Sequence, residues 1–127
     1  MANVPANLKY STDHVWLRVE GDVAVIGITD YAQSQLGDIV FVDVPTVGET
    51  IGANEVFGSI EAVKTVSDAF LPVSGVVEEV NPAIDADPAL VNSDPYGEGW
   101  MVKVKMSNPA EVEALLSAEQ YAALIAK

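Results

Sequence analysis

The sequence predicts a mostly β fold with one short internal helix and a helical C-terminus. Half of the 127 residues are hydrophobic, which favours a packed core over disorder. Short runs rich in β-branched residues alternate with turn signals roughly every 8–12 residues, a spacing typical of a β-sandwich or a small barrel. No clear tandem repeat or domain boundary divides the chain, so we expect a single domain over residues 1–127.

Six segments have the composition of strands. Their apolar residues are largely β-branched or aromatic, and prolines or glycine-containing turns separate most of them. In the last segment Lys103 and Lys105 alternate with apolar residues and therefore share one face. The predicted strands span residues 22–28, 38–44, 56–62, 65–71, 76–80 and 100–106.

The internal helix is predicted over residues 29–37. Thr29 can cap its first turn, Asp30 suits the positive end of the helix dipole, and Gly37 can close the helix in the left-handed conformation. Residues 81–99 are rich in proline and glycine, so we expect a loop there, with Pro88-Ala-Leu-Val91 as the candidate for a short turn of helix.

The helical tail is predicted over residues 108–126. Asn108 offers a cap, a proline follows it at the first helical position, and Glu111 lies three residues beyond the cap. A second start signal, Ser117 with Gln120, lies within the tail. The tail carries enough apolar residues to pack against the sheet.

Charge and composition exclude several classes of function. The net charge is −13 and the pI is near 4.1, so we expect neither nucleic acid nor an anionic membrane surface as a partner. The absence of cysteine excludes disulfides, thiolate metal ligands and thiol nucleophiles. The single histidine lacks an obvious base partner, and neither a serine-nucleophile motif nor a phosphate-binding loop occurs. We therefore predict no metal site, and these residue types leave Lys64 as the one candidate for chemistry.

The N-terminal sequence gives an expectation for localisation. It has neither the apolar segment of a signal peptide nor the arginine-rich pattern of a transit peptide. We expect a cytoplasmic protein, or a mature form that has lost its targeting segment. We also expect a monomer.

Lys64 is the residue for which the sequence predicts a function. Between Arg18 and Lys103 the chain has fifteen acidic residues and no other base. Val63 and Lys64 fall at the predicted tip of a hairpin, from which a side chain projects far. The small and apolar neighbours are an unusual choice for an exposed turn unless something docks there. A projecting amine on a rigid β scaffold suits covalent attachment of a prosthetic group.

Two other interpretations of Lys64 are open at this point. A solvated turn lysine without a function is the most common fate of a lysine. A catalytic lysine would need burial to lower its pKa, and a hairpin tip offers little burial.

Sequence motifs at and beyond Lys64 follow a known pattern. Glu61-Ala-Val-Lys64 is followed by Ser67-Asp68 and by Pro72-Val-Ser-Gly75. These motifs resemble the lipoyl-attachment region of the glycine cleavage system H-protein family, and the resemblance extends over about residues 8–125. Further matching motifs are Leu8-Lys-Tyr10, His14-x-Trp16, Val25-x-Gly27-Ile-Thr-Asp-Tyr-Ala-Gln33, Leu36-Gly37-Asp38 and Asp94-Pro-Tyr-Gly-Glu-Gly-Trp100.

The resemblance implies a fold, a cofactor and partners. The fold is a lipoyl-domain-like barrel-sandwich hybrid with helical additions, and lipoate is joined by an amide bond to Lys64. The protein carries an aminomethyl group from a pyridoxal-phosphate glycine decarboxylase to a tetrahydrofolate-dependent aminomethyltransferase. A dihydrolipoyl dehydrogenase reoxidises the carrier, and a lipoate-attaching enzyme loads it. The carrier itself is not a catalyst.

The resemblance also assigns residues around the arm. Glu61, Val63 and Asp68 form the context of the attachment site. Asp13 and His14 are candidates for a cleft that receives the arm. Where the family usually has a glutamate that helps to hold the loaded arm, this chain has Val15, and Asp13 is the candidate to replace that carboxylate.

Departures from the family motif keep two alternatives open. Ala62 and Thr65 replace the serine and alanine that usually flank the Val-Lys pair, and Ala62 shifts the motif towards the biotin-attachment pattern. One alternative is a lipoylated carrier that relays lipoate to other enzymes, for which protection of the aminomethyl arm is not needed. The other is a biotinyl carrier or an unmodified scaffold. A further hypothesis is that the acidic surface steers partners with basic rims.

Overall fold

The computed structural model describes residues 4–125, which form two antiparallel β-sheets with short helices around them. The strands in chain order are β1 Lys9–Tyr10, β2 Val15–Glu20, β3 Val23–Ile28, β4 Ile39–Asp43, β5 Thr50–Ile51, β6 Val56–Ala62, β7 Val66–Phe70, β8 Gly75–Val80 and β9 Val102–Met106. The helices are α1 Asp30–Leu36, α2 Pro82–Ala86, α3 Leu90–Ser93, a 3₁₀ helix Pro109–Ala114 and α4 Ala118–Ile125.

The strand order places the β6–β7 hairpin, whose turn contains Lys64, in the smaller sheet. The larger sheet has six strands in the order β1-β2-β3-β9-β8-β5, and the smaller has three in the order β4-β6-β7. Every neighbouring pair is antiparallel. The predicted class, a mostly β barrel-sandwich with a short internal helix and a helical C-terminus, is confirmed.

Two apolar clusters hold the sheets in place. The larger cluster joins buried side chains from both sheets, among them Leu17, Ile26 and Ile60. The smaller cluster includes Trp16 and Tyr121 and packs on the opposite face of the larger sheet. Because successive side chains of a strand point to opposite faces, β2 contributes Leu17 to one cluster and Trp16 to the other.

The internal helix follows its predicted signals. The Thr29 hydroxyl accepts a hydrogen bond from the Ala32 N–H at 3.1 Å and caps the first turn. Gly37 ends the helix at φ 83°, a positive value that a glycine adopts without steric cost, and its N–H donates to the Gln33 carbonyl at 3.0 Å. The helix therefore has fixed ends and runs beside the β6–β7 hairpin.

The C-terminal tail is helical but is not one continuous helix. The Asn108 side chain makes no cap hydrogen bond, and the Glu111 carboxylate instead accepts hydrogen bonds from the Ser74 N–H and hydroxyl. The chain forms a 3₁₀ helix and then crosses to the larger sheet before α4 begins. The second start signal is confirmed, since Ser117 and Gln120 exchange hydrogen bonds at 3.0 and 3.2 Å. Residue 126 of the predicted tail lies outside the described residues.

Some elements differ from the prediction. Strands β1, β2 and β5 were not predicted, and the expected loop at 81–99 contains two short helices. The pair Asn81-Pro82, at the beginning of the expected loop, starts α2, because the Asn81 side chain accepts from the Ala83 N–H and proline suits the first turn. None of the helices within residues 4–125 is long and apolar enough to cross a membrane.

Candidate functional site

Lys64 lies in the turn that joins β6 to β7, as predicted. Glu61 and Val66 form the last strand pair before the turn, and the Ala62 N–H donates to the Thr65 carbonyl at 2.8 Å. The next residue, Val63, donates its N–H to the Asp38 carbonyl at 3.0 Å. These bonds anchor both sides of the turn, so the base of the Lys64 side chain has a defined position.

The Lys64 side chain is exposed and has no carboxylate partner within residues 4–125. Among the described residues the one ion pair joins Arg18 to Glu20, in the other sheet. The neighbours Val63 and Val66 are 68% and 60% exposed, so the described part of the chain leaves the turn uncovered. The amine is therefore free to react with a group presented from outside.

A groove leads away from Lys64 along helix α1. Its first part has a volume of about 300 Å³. Val63 and Lys64 line one side, and the C-terminal half of α1 and the residues that follow it line the other. A second cavity of about 280 Å³ lies farther along the hairpin. Both are lined by Gln35 and Leu36, so the two parts are neighbours on one path.

The second cavity, here called the cleft, has an apolar wall and an acidic opening. The wall side chains come from both sheets and from α1. They include Val15, Ile28, Ile60 and Leu36. The polar lining includes Asp13, His14, Tyr31, Gln35, Ser67 and Asp68. Asp13 and Asp68 are exposed, whereas Val15 is buried. The cleft can thus hold an apolar body with a cationic end.

His14 is held in place by groups distant in sequence. It has a positive φ of 65°, which is uncommon for a residue with a side chain. Its Nδ1 atom lies 2.9 Å from the Tyr121 hydroxyl on α4, and its ring lies 4.9 Å from that of Tyr31. The Tyr121 hydroxyl lies 2.7 Å from the Thr29 hydroxyl, which caps α1. One hydroxyl therefore connects the cleft, the internal helix and the C-terminal helix.

The hydrogen bonds among Thr29, Tyr121 and His14 determine the tautomer of His14. Thr29 is fully buried and already accepts from the Ala32 N–H, so its proton is satisfied by donation to Tyr121. Tyr121 then donates to the histidine Nδ1, and we assign the neutral form with its proton on Nε2. Burial lowers the pKa of His14, and the nearby Asp13 opposes that shift. His14 therefore adds no positive charge to the cleft at neutral pH.

The predicted site residues fall into two places. Val63 lines the groove together with Lys64, and Asp13, His14 and Asp68 line the cleft. Glu61 lines neither cavity and lies on the exposed side of the smaller sheet.

Several residues of the site were not predicted as such. Gln35 and Leu36 join the two cavities, Tyr31 packs on His14, and Tyr121 fixes it. Tyr31 lies in a quoted family motif, but nothing local in the sequence connects Tyr121 to residue 14. Within residues 4–125 no group of three or more metal-binding side chains occurs.

Comparison with known proteins gives the family. The model of the glycine cleavage H-protein family matches residues 8–127. The chain belongs to this family. It is 63% identical to the glycine cleavage system H protein of Bacteroides fragilis, over 97% of this chain and 98% of that one. The H protein of Symbiobacterium thermophilum is 57% identical, over 95% of this chain and 94% of that one.

A solved structure agrees with the fold. The crystal structure of a glycine cleavage system H protein from Mycobacterium marinum superposes with a TM-score of 0.88 at 42% identity. The match covers 98% of this chain and 100% of the other. The predicted family is thereby confirmed, and the chain is the shuttle component of the glycine cleavage system.

Proposed function

We propose that this protein carries its aminomethyl cargo on lipoate attached to the Nζ atom of Lys64. The observation that supports this most is the combination at the hairpin tip. Lys64 is exposed, has no ion-pair partner among the described residues, and adjoins a groove that leads to an acidic cleft. A turn lysine without a function would need neither the groove nor the cleft.

The residues of the groove and cleft suit a lipoyl group. When bound, the group supplies a dithiolane whose sulfur takes up the aminomethyl group from glycine. Gln35 and Leu36 would line the path of the chain, and Val15, Ile28 and Ile60 would cover the apolar ring. The chain has no cysteine, so no protein thiol competes for the cofactor disulfide.

Charged residues at the cleft opening would hold the cargo. The amine of an aminomethyl group is cationic at neutral pH, and a carboxylate within a few ångströms favours that form. Asp13 and Asp68 line the cleft and supply this charge, while neutral His14 does not oppose it. Asp13 thus replaces the carboxylate that the family usually has at residue 15. In this chain residue 15 is the apolar Val15, which lines the same cleft.

The partners follow from this role. Glycine decarboxylase loads the arm, aminomethyltransferase unloads it, dihydrolipoyl dehydrogenase reoxidises it, and a lipoate-attaching enzyme forms the amide bond. The protein supplies positioning and protection, and the chemistry belongs to its partners. We further propose that the net charge of −13 steers these enzymes through basic surfaces. Activity that does not change with ionic strength would contradict the steering.

The test measures the intact mass of the protein after incubation with a lipoate-attaching enzyme, and then its activity in glycine decarboxylation. The wild type should gain one lipoyl increment when incubated with an ATP-dependent lipoate ligase, and it should then support glycine decarboxylation. Lys64→Arg keeps the charge at an exposed position, so it should fold normally, gain no increment and support no turnover. No increment on the wild type, or a biotin increment, contradicts the proposal. An increment without decarboxylation would favour the lipoate-relay alternative.

A further inference from the structure

Exposed apolar side chains are grouped around Lys64. Val40, Phe41, Val63 and Val66 are 52%, 43%, 68% and 60% exposed. We call these four residues the apolar patch. Isolated exposed valines are ordinary in a soluble protein, but four large apolar side chains beside one exposed lysine indicate a surface that is covered at some stage.

Strand register explains why the patch lies on one side. Phe41 on β4 pairs with Glu61 on β6, which pairs with Val66 on β7, so the three side chains form a row across the smaller sheet. An irregularity in β4 adds Val40 beside Phe41, and the turn adds Val63 at the end of the hairpin. The inner faces of the same strands are in the core, so this row faces outward.

Acidic residues lie beside the patch. Glu61 lies within the row, Asp43 and Asp68 lie on the neighbouring strand positions, and Asp38 precedes β4. All four are exposed, and Lys64 is the only base between Arg18 and Lys103. A partner that covers this surface must therefore combine apolar contacts with basic residues at its rim.

The partner that covers this surface is the enzyme whose active site must come closest to the Nζ atom of Lys64. Enzymes that act on the dithiolane receive the end of a long arm and do not need to touch the hairpin. An enzyme that makes the amide bond must bring its activated lipoyl carbonyl to the Nζ atom itself. A lysine side chain is short, so the residues next to Lys64 must contact the mouth of that enzyme's active site.

We propose that the apolar patch with its acidic neighbours is the docking surface for the lipoate-attaching enzyme. This rests on the proposed attachment of lipoate to Lys64. In the attachment step the Lys64 ammonium loses one proton to become a nucleophile, and its nitrogen forms a bond to the lipoyl carbonyl carbon. The bond from that carbon to the adenylate phosphate breaks, AMP leaves with the bonding electrons, and a second proton leaves the nitrogen. Nothing is oxidised or reduced.

The test compares rates of lipoyl attachment to the unmodified protein. The double variant Phe41→Thr with Val66→Thr places a β-branched residue, which suits a strand, at both positions and alters only exposed side chains. The matched control is Val19→Thr, since Val19 is 47% exposed on β2 in the other sheet, on a strand that does not carry Lys64. The rate is measured by intact mass at low protein concentration with an ATP-dependent lipoate ligase, ATP and lipoic acid.

We expect kcat/KM for attachment to fall about tenfold in the double variant and less than about twofold in the control. Completely lipoylated double variant, prepared by long incubation, should support glycine decarboxylation at the wild-type rate. Attachment at the wild-type rate overturns the docking surface. An equal loss of decarboxylation also overturns it, because the patch would then serve the partners in general. If the wild type itself gains no lipoyl group, the proposed attachment fails rather than the docking surface alone.

Discussion

Replacing Tyr121 with phenylalanine tests the hydrogen-bond chain behind the cleft. The change removes one oxygen from a fully buried position and keeps the ring, which stacks on Tyr10 at 4.8 Å. Two hydrogen bonds are lost, at 2.7 Å to Thr29 and at 2.9 Å to His14. The Thr29 proton then has no acceptor among the described groups, which costs about 1–3 kcal/mol, whereas solvent can reach the half-buried histidine.

The expected loss in the free energy of unfolding is therefore about 2 kcal/mol. For a domain of this size such a loss lowers Tm by roughly 7 °C, which urea unfolding and calorimetry both detect. The matched control is Tyr31→Phe, because Tyr31 is half-buried at the same cleft and its hydroxyl makes no hydrogen bond within residues 4–125. It should cost less than about 0.5 kcal/mol.

The Tyr121→Phe variant should also change the tautomer population and the pKa of His14, the only histidine in the chain. In the wild type, nitrogen NMR shifts should report a neutral ring with its proton on Nε2. In Tyr121→Phe the Nδ1 atom loses its donor, so the second tautomer should gain population and the pKa of His14 should rise. Equal stability losses in the two tyrosine variants, together with an unchanged His14 spectrum, would refute the assigned chain of donors.

Three further predictions concern pH, the cleft and the sheet. The pKa of His14 is lowered below 6.5 in the folded protein, so the unfolded chain binds more protons in that range. The free energy of unfolding should therefore fall as the pH decreases from 7 through the folded pKa, and His14→Gln should remove that part of the loss. Changing both Asp13→Asn and Asp68→Asn should shorten the lifetime of the aminomethylated carrier about tenfold, measured as release of formaldehyde, if two charged contacts are lost. A Cβ atom at Gly75 would overlap the Lys105 carbonyl oxygen, so Gly75→Ala should cost about 2–3 kcal/mol in urea unfolding.

Local signals in the sequence were sufficient for the hairpin and the internal helix. Thr29 and Gly37 mark the ends of α1 because a cap hydrogen bond and a glycine at positive φ are local requirements. The same kind of signal was ambiguous at Asn81-Pro82, because asparagine followed by proline both ends a strand and starts a helix. Which of the two prevails depends on where the following apolar residues can pack, and Ile84 is buried in the core.

Local sequence patterns did not predict strands β1 and β2 or the residues that form the cleft. Strand β2 buries Val15, Trp16 and Leu17 in succession, because both faces of its first half are covered, so the alternation that marks a half-exposed strand is absent. The contact between His14 and Tyr121 spans 107 positions in the sequence. No spacing rule connects residues that far apart, whereas the family motif at Lys64 is continuous and could be recognised directly.

We propose that the cargo is carried at Lys64. Glycine labelled at its methylene carbon, glycine decarboxylase and the lipoylated protein should place one label on each molecule when the aminomethyltransferase is left out. Peptide mapping should then find that label on the peptide that contains Lys64, and Lys64→Arg should carry none. Label on a peptide with Lys103 or Lys105, or label retained by Lys64→Arg, would contradict attachment at Lys64.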